Sequence, residues 1–408
     1  MRFIGMDVHR DACQICVLDA DGNDHQQRVP SRPDELAQFA ASLGPDDVVA
    51  IEATGPAAAI ARILEPHAGQ VVVVNPRRLG QIAARAKTDR IDAHTLSRLL
   101  AAGVLTGVWT PDEPARALRR LVSRRAAVVR ARTRAKNEVH AVLARNLCPS
   151  VPVTDAFGKA GRRWLAGLTL PEEEAITLTG CLRQIDTLEA EITDLEDLLV
   201  RRVARSSEVR RLLSVPGVNV IVATTFLAYV GDIGRFAGPR QLVGYLGLDP
   251  RVRQSGEAAA RGGHISKQGA ACVRHVLGQA AWRAARVAGP LRAFYERICA
   301  RRGPQVAITA LARKLATLFW HLLTRDEDYA FAEPSVVRAK RRALELKAGA
   351  PPHKGRSGPE GPVSPAPAQR VAERELVLAS ETAYRRMMAD WRRTREVGAG
   401  AANGARLT

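Results

Sequence analysis

Four carboxylates and one hydroxyl carry the chemistry open to this chain. Asp7 lies near the end of the apolar run FIGMDV and Glu52 sits inside VVAIEATG, so each acid is set among apolar strand residues. A carboxylate taken out of water either raises its pKa or acquires a compensating cation, and two of them in neighbouring strands point to metal ligation. The stretch KTDRIDAHTL adds Asp89 and Asp92, whose spacing of three puts both on one face of a helix that starts there. Oxygen ligands of this kind suit Mg²⁺ or Mn²⁺, and two such ions can activate a nucleophile and stabilise the leaving oxygen of a phosphodiester. A plainer reading stays open: Asp89 as a helix N-cap, Asp92 as a first-turn acid favoured by the dipole, Asp7 and Glu52 as surface strand ends. His9 and His94 are read as polar or capping residues rather than ligands.

The hydroxyl belongs to Ser255, in GLDPRVRQSGEAAARGGHISKQGAACVRHVL, among Arg251, Arg253, Arg261, Lys267 and Arg274. Cations can hold a scissile phosphate beside a serine while a base or metal takes its proton. Ser-Gly is also a common loop pair, so the constellation gains its meaning from context. Ser266 is the rival nucleophile, and it stands where an N-cap is expected ahead of AACVRHVL.

The elements that must position these groups follow from the apolar pattern. Two strands between Arg2 and Leu18 and a third ending near Val29 precede a helix from Pro33 to Leu43. A strand from Val48 to Ala53, a helix from Pro56 to Pro66 and a strand from Val71 to Val74 come next. A meander followed by alternating helices and strands predicts a mixed α/β sheet with helices on its faces. Beyond Pro111 the strand signals stop. Pro114 to Leu147 reads as one long helix loaded with arginines, among them Arg124, Arg125 and Arg132, with Lys136 close by. Such a stripe is either a solvated face or a phosphate-backbone surface.

From Glu172 to Arg211, Leu178, Ile185, Ile192 and Leu199 recur at heptad spacing, predicting a short coiled coil that pairs between protomers, with an ordinary amphipathic core helix as the plainer reading. Pro216 and Gly217 then break one helix before another, as in a helix-hairpin-helix turn whose amides meet a phosphate, with Asn219 able to tolerate positive φ. Ala350 to Pro367 is a Pro/Gly/Ser-rich linker, and Val371 to Arg395 reads as a lone basic helix. The expected divisions are 1–110, 111–210, 211–330 and a partly disordered basic linker and tail at 331–408.

Composition narrows the partner. The chain has 408 residues, and 61 Lys+Arg against 42 Asp+Glu give a formal charge of +19, for which a phosphate backbone is the commonest counterpart. Six cysteines without a pairing rhythm fit a reducing cytoplasm rather than a disulfide framework. Cys13 and Cys16 lie in a strand, where a spacing of three points them to opposite faces, so a buried structural role is expected rather than zinc. No signal peptide and no uninterrupted apolar run of about 18 residues is read, so no membrane partner is expected.

The segments FIGMDVHR, IEATG, VVVVNPRR, KTDRIDA, SVPGVNVIVATTFLAYVGDIGRF, LVGYLGLDP, QSG, HISKQGAACVRHVL and ALARKL occur in an order that resembles the DEDD-type insertion-sequence transposases of the one-hundred-and-ten group, also called bridge-RNA-guided recombinases. The likeness runs from Arg2 to Leu323. It implies an N-terminal RuvC-like, RNase H-type domain in which Asp7, Glu52, Asp89 and Asp92 hold divalent metal. It also implies a mainly helical C-terminal domain whose serine, here Ser255, forms a covalent link to DNA. Donor and target DNA, a structured guide RNA, assembly as a dimer or tetramer, and a cytoplasmic, nucleoid-associated location are implied with it. Base pairing would then supply sequence choice, while Arg124, Arg125, Arg132, Lys136, Arg253, Lys267 and Arg274 would meet nucleic-acid backbone. Two departures stand out: Gly256-Glu257 follows the serine where relatives carry a second glycine, and the tail beyond Glu333 lies outside the likeness. The competing readings are a structure-selective RuvC-like nuclease, whose acids alone activate water, and a non-catalytic nucleic-acid-binding protein.

Overall fold

The computed structural model describes residues 1–75, 89–253, 261–351 and 367–404, and the chain divides into two compact units, Met1–Asp112 and Glu113–Thr408. In the first unit, β1 (Phe3–Val8), β2 (Ala12–Leu18) and β3 (Asp24–Pro30) form an antiparallel meander. Helix α1 (Pro33–Ala41), strand β4 (Val48–Glu52), helix α2 (Ala57–Leu64) and strand β5 (Gln70–Val74) alternate after it, and α3 (Asp89–Ala101) comes later in the chain. The sheet order is β3-β2-β1-β4-β5, with β4 parallel to both β1 and β5. This is the mixed sheet of the RuvC-like, RNase H-type fold expected from the sequence.

Alternation along the strands assigns the two faces. Ile4, Met6 and Val8 of β1 join Val49 and Ile51 of β4 in a core closed by Leu36 and Phe39 of α1 and by Ile60 and Leu64 of α2. Phe3, Val48 and Ala50 meet Leu96 and Leu100 of α3 on the opposite face. Asp7 and Glu52 share the α3 face by parity, and the register Met6↔Ile51 sets them at the same end of adjacent parallel strands. Gly5 explains how closely α3 approaches: a Cβ there would stand 2.1 Å from the Ala93 carbonyl oxygen and 2.5 Å from the Ser97 nitrogen. The helix therefore rests on the bare backbone of β1, and its first turn is carried toward Asp7. Cys13 and Cys16 are buried, and their sulfurs lie 3.4 Å from the hydroxyls of Ser31 and Ser97 respectively, one on each side of the sheet.

In the second unit, α4 (Glu113–Arg145) and α6 (Glu172–Val203) run antiparallel, with α5 (Lys159–Ala166) between them in sequence. Arg125 meets Glu196 toward one end of the pair and Arg145 meets Glu174 at the other. The heptad residues Leu178, Ile185, Ile192 and Leu199 are buried: Leu178 and Ile185 pack with Val139 and Val142 of α4, and Leu199 with Val122. The seam is thus filled from within the same chain, which corrects the expected pairing between protomers. Periodicity reveals that a seam exists but not whose helix fills it.

Helices α7 (Ser207–Leu212), α8 (Val220–Val230), α9 (Pro239–Tyr245), α10 (Ala271–Ala284), α11 (Pro290–Arg302) and α12 (Pro304–Arg325) follow. Their core is anchored by Phe226 and Phe319, edge to face with centroids 5.0 Å apart. Among the described residues α12 alone is long and apolar enough to cross a membrane, and its Leu311, Leu315 and Phe319 fill this core. A hairpin of β6 (Pro250–Arg253) and β7 (Arg261–Ile265), which the sequence pattern did not announce, lies between α9 and α10 in the chain.

Asn219, Gly217 and the tail depart from expectation. Asn219 does not adopt positive φ; at φ −117° it caps α8, its side chain accepting the Val222 N–H. The positive φ belongs to Gly217, at +81°, where a Cβ would come 2.3 Å from the Ala280 carbonyl, so close packing on α10 accounts for this glycine. The tail is not a lone helix. Leu344 of α13 (Pro334–Lys347) enters the core, and α14 (Pro367–Gly404) buries Glu381, which accepts the Gly289 N–H at 2.8 Å and pairs with Arg292.

Candidate functional site

Asp7, 4% exposed at the end of β1, is the centre of the acidic cluster. His9 Nε2 lies 3.1 Å from Asp7 Oδ2 and 3.3 Å from Asp89 Oδ1, so one imidazole bridges a strand acid and a helix acid. Ligand atoms of Asp7, His9 and Asp89 all fall within 4.8 Å of one another. Burial pushes the Asp7 pKa up, and the charges of Asp89 and Asp92 add to that rise against the opposing pull of His9. Burial works against protonation of His9, yet Asp7 and Asp89 outweigh it and hold the imidazole pKa above its ordinary value.

This electrostatic arrangement fits a divalent ion. A buried carboxylate surrounded by like charges is costly unless a cation offsets it, and the donors converge from two elements onto one point. Asp7 and Asp89 would hold the ion, with His9 at the same locus supplying either a ligand or, when protonated, the cation that stands in for it. Asp92 comes close enough to raise the Asp7 pKa, and Glu52 reaches the neighbouring strand end without joining the 4.8 Å cluster. Reading the sequence passed over His9, although its signal was present. Two positions beyond Asp7 on an extended segment, its side chain projects to the same side.

The serine region differs. Ser255 lies outside the described residues, in the segment that joins β6 to β7, and so does the Arg253 side chain. Ser266 is buried and its hydroxyl donates to Asp249 Oδ1, while its N–H donates to the Asp249 carbonyl at 2.8 Å. It therefore tethers the loop to Asp249 and does not cap α10, whose N-cap is Ala270. Arg274 is also committed, donating to the carbonyls of Leu246, Gln268 and Gly269 at 3.0–3.1 Å, with burial lowering its pKa. Lys267 is exposed.

The basic stripe of α4 has partners within the chain. Arg124 pairs with Glu191 at 2.6 Å, Arg125 with Glu196 at 2.6 Å, and Arg132 and Lys136 with Glu189 at 3.7 and 3.3 Å. Lys136 also lies 4.6 Å from the centroid of the Phe157 ring. Glu189, Glu191 and Glu196 of α6 are thus the counter-charges of these cations on the helix opposite.

Comparison with known proteins places these features in a family. Residues 4–147 match the model of DEDD-type transposases of the IS110 group, and residues 209–296 match that of the Transposase IS116/IS110/IS902 family. The chain is 27% identical to the transposase for insertion sequence element IS1111A of Coxiella burnetii, across 81% of this chain and 91% of the relative. It is 28% identical to the transposase for IS1328 of Yersinia enterocolitica, across 80% and 98%. The y4qE protein of Sinorhizobium fredii is 33% identical, across 60% of this chain and 66% of its own length. Two matches to one family, together spanning more than half of the residues, and relatives aligned along most of the length agree with the fold and its acidic cluster: the chain belongs to the IS110 family of insertion-sequence transposases.

Proposed function

We propose that this transposase cuts and rejoins DNA with Ser255 as nucleophile and with Asp7, Glu52, Asp89 and Asp92 holding Mg²⁺ or Mn²⁺. The observation that carries the reading is the buried Asp7 carboxylate, bridged through His9 to Asp89. When bound, the metal supplies electrostatic stabilisation of charge on the scissile phosphate and its leaving oxygen. Asp7, the least hydrated of the acids, orients the cluster, and Asp89 and Asp92 extend it from one turn of α3. Ser255 Oγ gives its proton to a base and bonds to phosphorus as a backbone P–O bond breaks, the leaving oxygen taking the bonding pair and a proton to become a free strand-end hydroxyl. The strand is then held as a serine phosphoester. A hydroxyl of a second strand reverses the exchange, restoring the serine and one phosphodiester, so the joining needs no separate energy source.

The surplus of +19 suits partners that are both DNA and a structured guide RNA, with base pairing setting the sequence and the protein reading backbone and shape. We assign the metal-binding role to 1–110, a connector role to 111–210, the serine domain to 211–330 and an accessory role to 331–408, working as a dimer or tetramer. The test is covalent capture on a DNA substrate with Mn²⁺. Ser255→Ala abolishes the protein–DNA adduct and strand exchange, and Asp7→Asn abolishes both as well. Cleavage that survives Ser255→Ala would assign the chain to the water-activating nucleases instead.

A further inference from the structure

A groove of about 770 Å³ opens in the second unit between the β6–β7 hairpin and helices α11 and α12. Its lining is divided by chemistry. Ile265 and Phe294 belong to the apolar part, and Lys267, Arg302, Arg313 and Lys314 bring four cations, while no acid among the described residues lines it. None of these four cations forms an ion pair among the described residues, in contrast to Arg124, Arg125, Arg132 and Lys136, each neutralised by a glutamate of α6. The four are exposed, and Arg313 and Lys314 stand on the solvent side of a helix whose Leu311, Leu315 and Phe319 are buried. The hairpin that walls the groove is the one whose connecting segment contains Ser255.

We infer that this groove binds an unpaired stretch of nucleic acid, seating a base against Phe294 and Ile265 and its phosphates against Lys267, Arg302, Arg313 and Lys314. The inference rests on the reading of the chain as a nucleic-acid enzyme and adds a site for single strand walled by the β6–β7 hairpin. A phosphate chain explains the cations and the absence of acid; an exposed base edge and face explain the apolar floor with an aromatic ring, which a duplex, its bases stacked inward, would not use. The volume is of the size that holds a small organic ligand, enough for one nucleotide and part of the next.

The test uses the full chain and a fluorescein-labelled 12-nucleotide oligo-dT, with a duplex of equal length alongside, read by anisotropy over a salt series. Arg313→Ala/Lys314→Ala weakens single-strand binding by at least about tenfold and reduces the salt slope by about 1.4, as expected for two lost phosphate contacts on a single strand. Phe294→Leu, which keeps the apolar packing, weakens binding roughly fivefold without changing the slope, because stacking rather than charge is removed. Arg283→Ala/Arg286→Ala, two exposed positions at the end of α10 and just after it, is the charge-matched control and leaves binding within about twofold of wild type. Wild-type affinity in the groove variants, with the unaltered chain still binding, overturns the groove and spares the transposase reading. Equal losses in the groove and control variants, or equal losses for duplex and single strand, also overturn it. Failure of the unaltered chain to bind any nucleic acid would remove the reading on which the inference stands.

Discussion

Asp7 shows how much one side chain can disclose and what it withholds. Its place at the end of an apolar run marked it as a costly carboxylate, and burial at 4% exposure with a raised pKa agrees with that. The partner His9 was passed over because a lone histidine is seldom diagnostic, although its spacing of two from Asp7 carried the signal. The pH dependence follows in sign. The protonated acid does not ligate, so metal affinity falls as pH drops through the Asp7 pKa, which burial raises. Titration calorimetry with Mn²⁺ should show affinity decreasing on acidification, with the fall starting at a higher pH than an unperturbed aspartate would give. Asp7→Asn should reduce Mn²⁺ affinity by at least about tenfold and flatten the pH dependence. An unchanged affinity in that variant would place the metal elsewhere.

At the level of elements, the five strands of the first unit and the long helices were readable from periodicity, while their partners and the β6–β7 hairpin were not. The heptad of α6 predicted a buried seam, and Leu178, Ile185, Ile192 and Leu199 form one, but the choice of α4 over a second protomer depends on chain connectivity. Likewise the arginines of α4 read as a phosphate surface because the acids that face them lie far away in sequence, 67 residues for Arg124–Glu191 and 71 for Arg125–Glu196. The helix that supplies Asp89 depends on Gly5. Gly5→Ala would force α3 off β1, since the added methyl meets backbone and not a flexible side chain. A loss of roughly 1–3 kcal/mol in stability is expected by thermal or denaturant unfolding. Mn²⁺ affinity should fall with it even where the protein remains folded, because the first turn of α3 no longer sits over Asp7; a destabilised variant with intact Mn²⁺ binding would uncouple the glycine from the cluster.

For the whole molecule, net charge and the order of strands and helices carried the class of fold and partner. A surplus of +19 by itself points to a phosphate-rich counterpart, and the mixed sheet followed by helices has the order that the apolar pattern implies. What composition could not distribute was the charge. Some of the 61 cations, Arg124, Arg125 and Arg145 among them, are engaged in internal pairs, so the number that meet a phosphate backbone is smaller than the total. Duplex binding should therefore weaken by at least about tenfold between 50 and 200 mM salt, with a slope corresponding to a handful of contacts, measured by anisotropy. A flat salt response would remove the electrostatic basis for nucleic-acid binding.

The buried carboxylate of Glu381 has a consequence for the life of a mobile gene. A copy that acquires a stop codon after α13 keeps the acids, the serine and the groove, yet strands the Gly289 amide and the Arg292 guanidinium without their acceptor at the start of α11. Decay of such a gene from its 3′ end would silence the element through folding before any reactive side chain is lost.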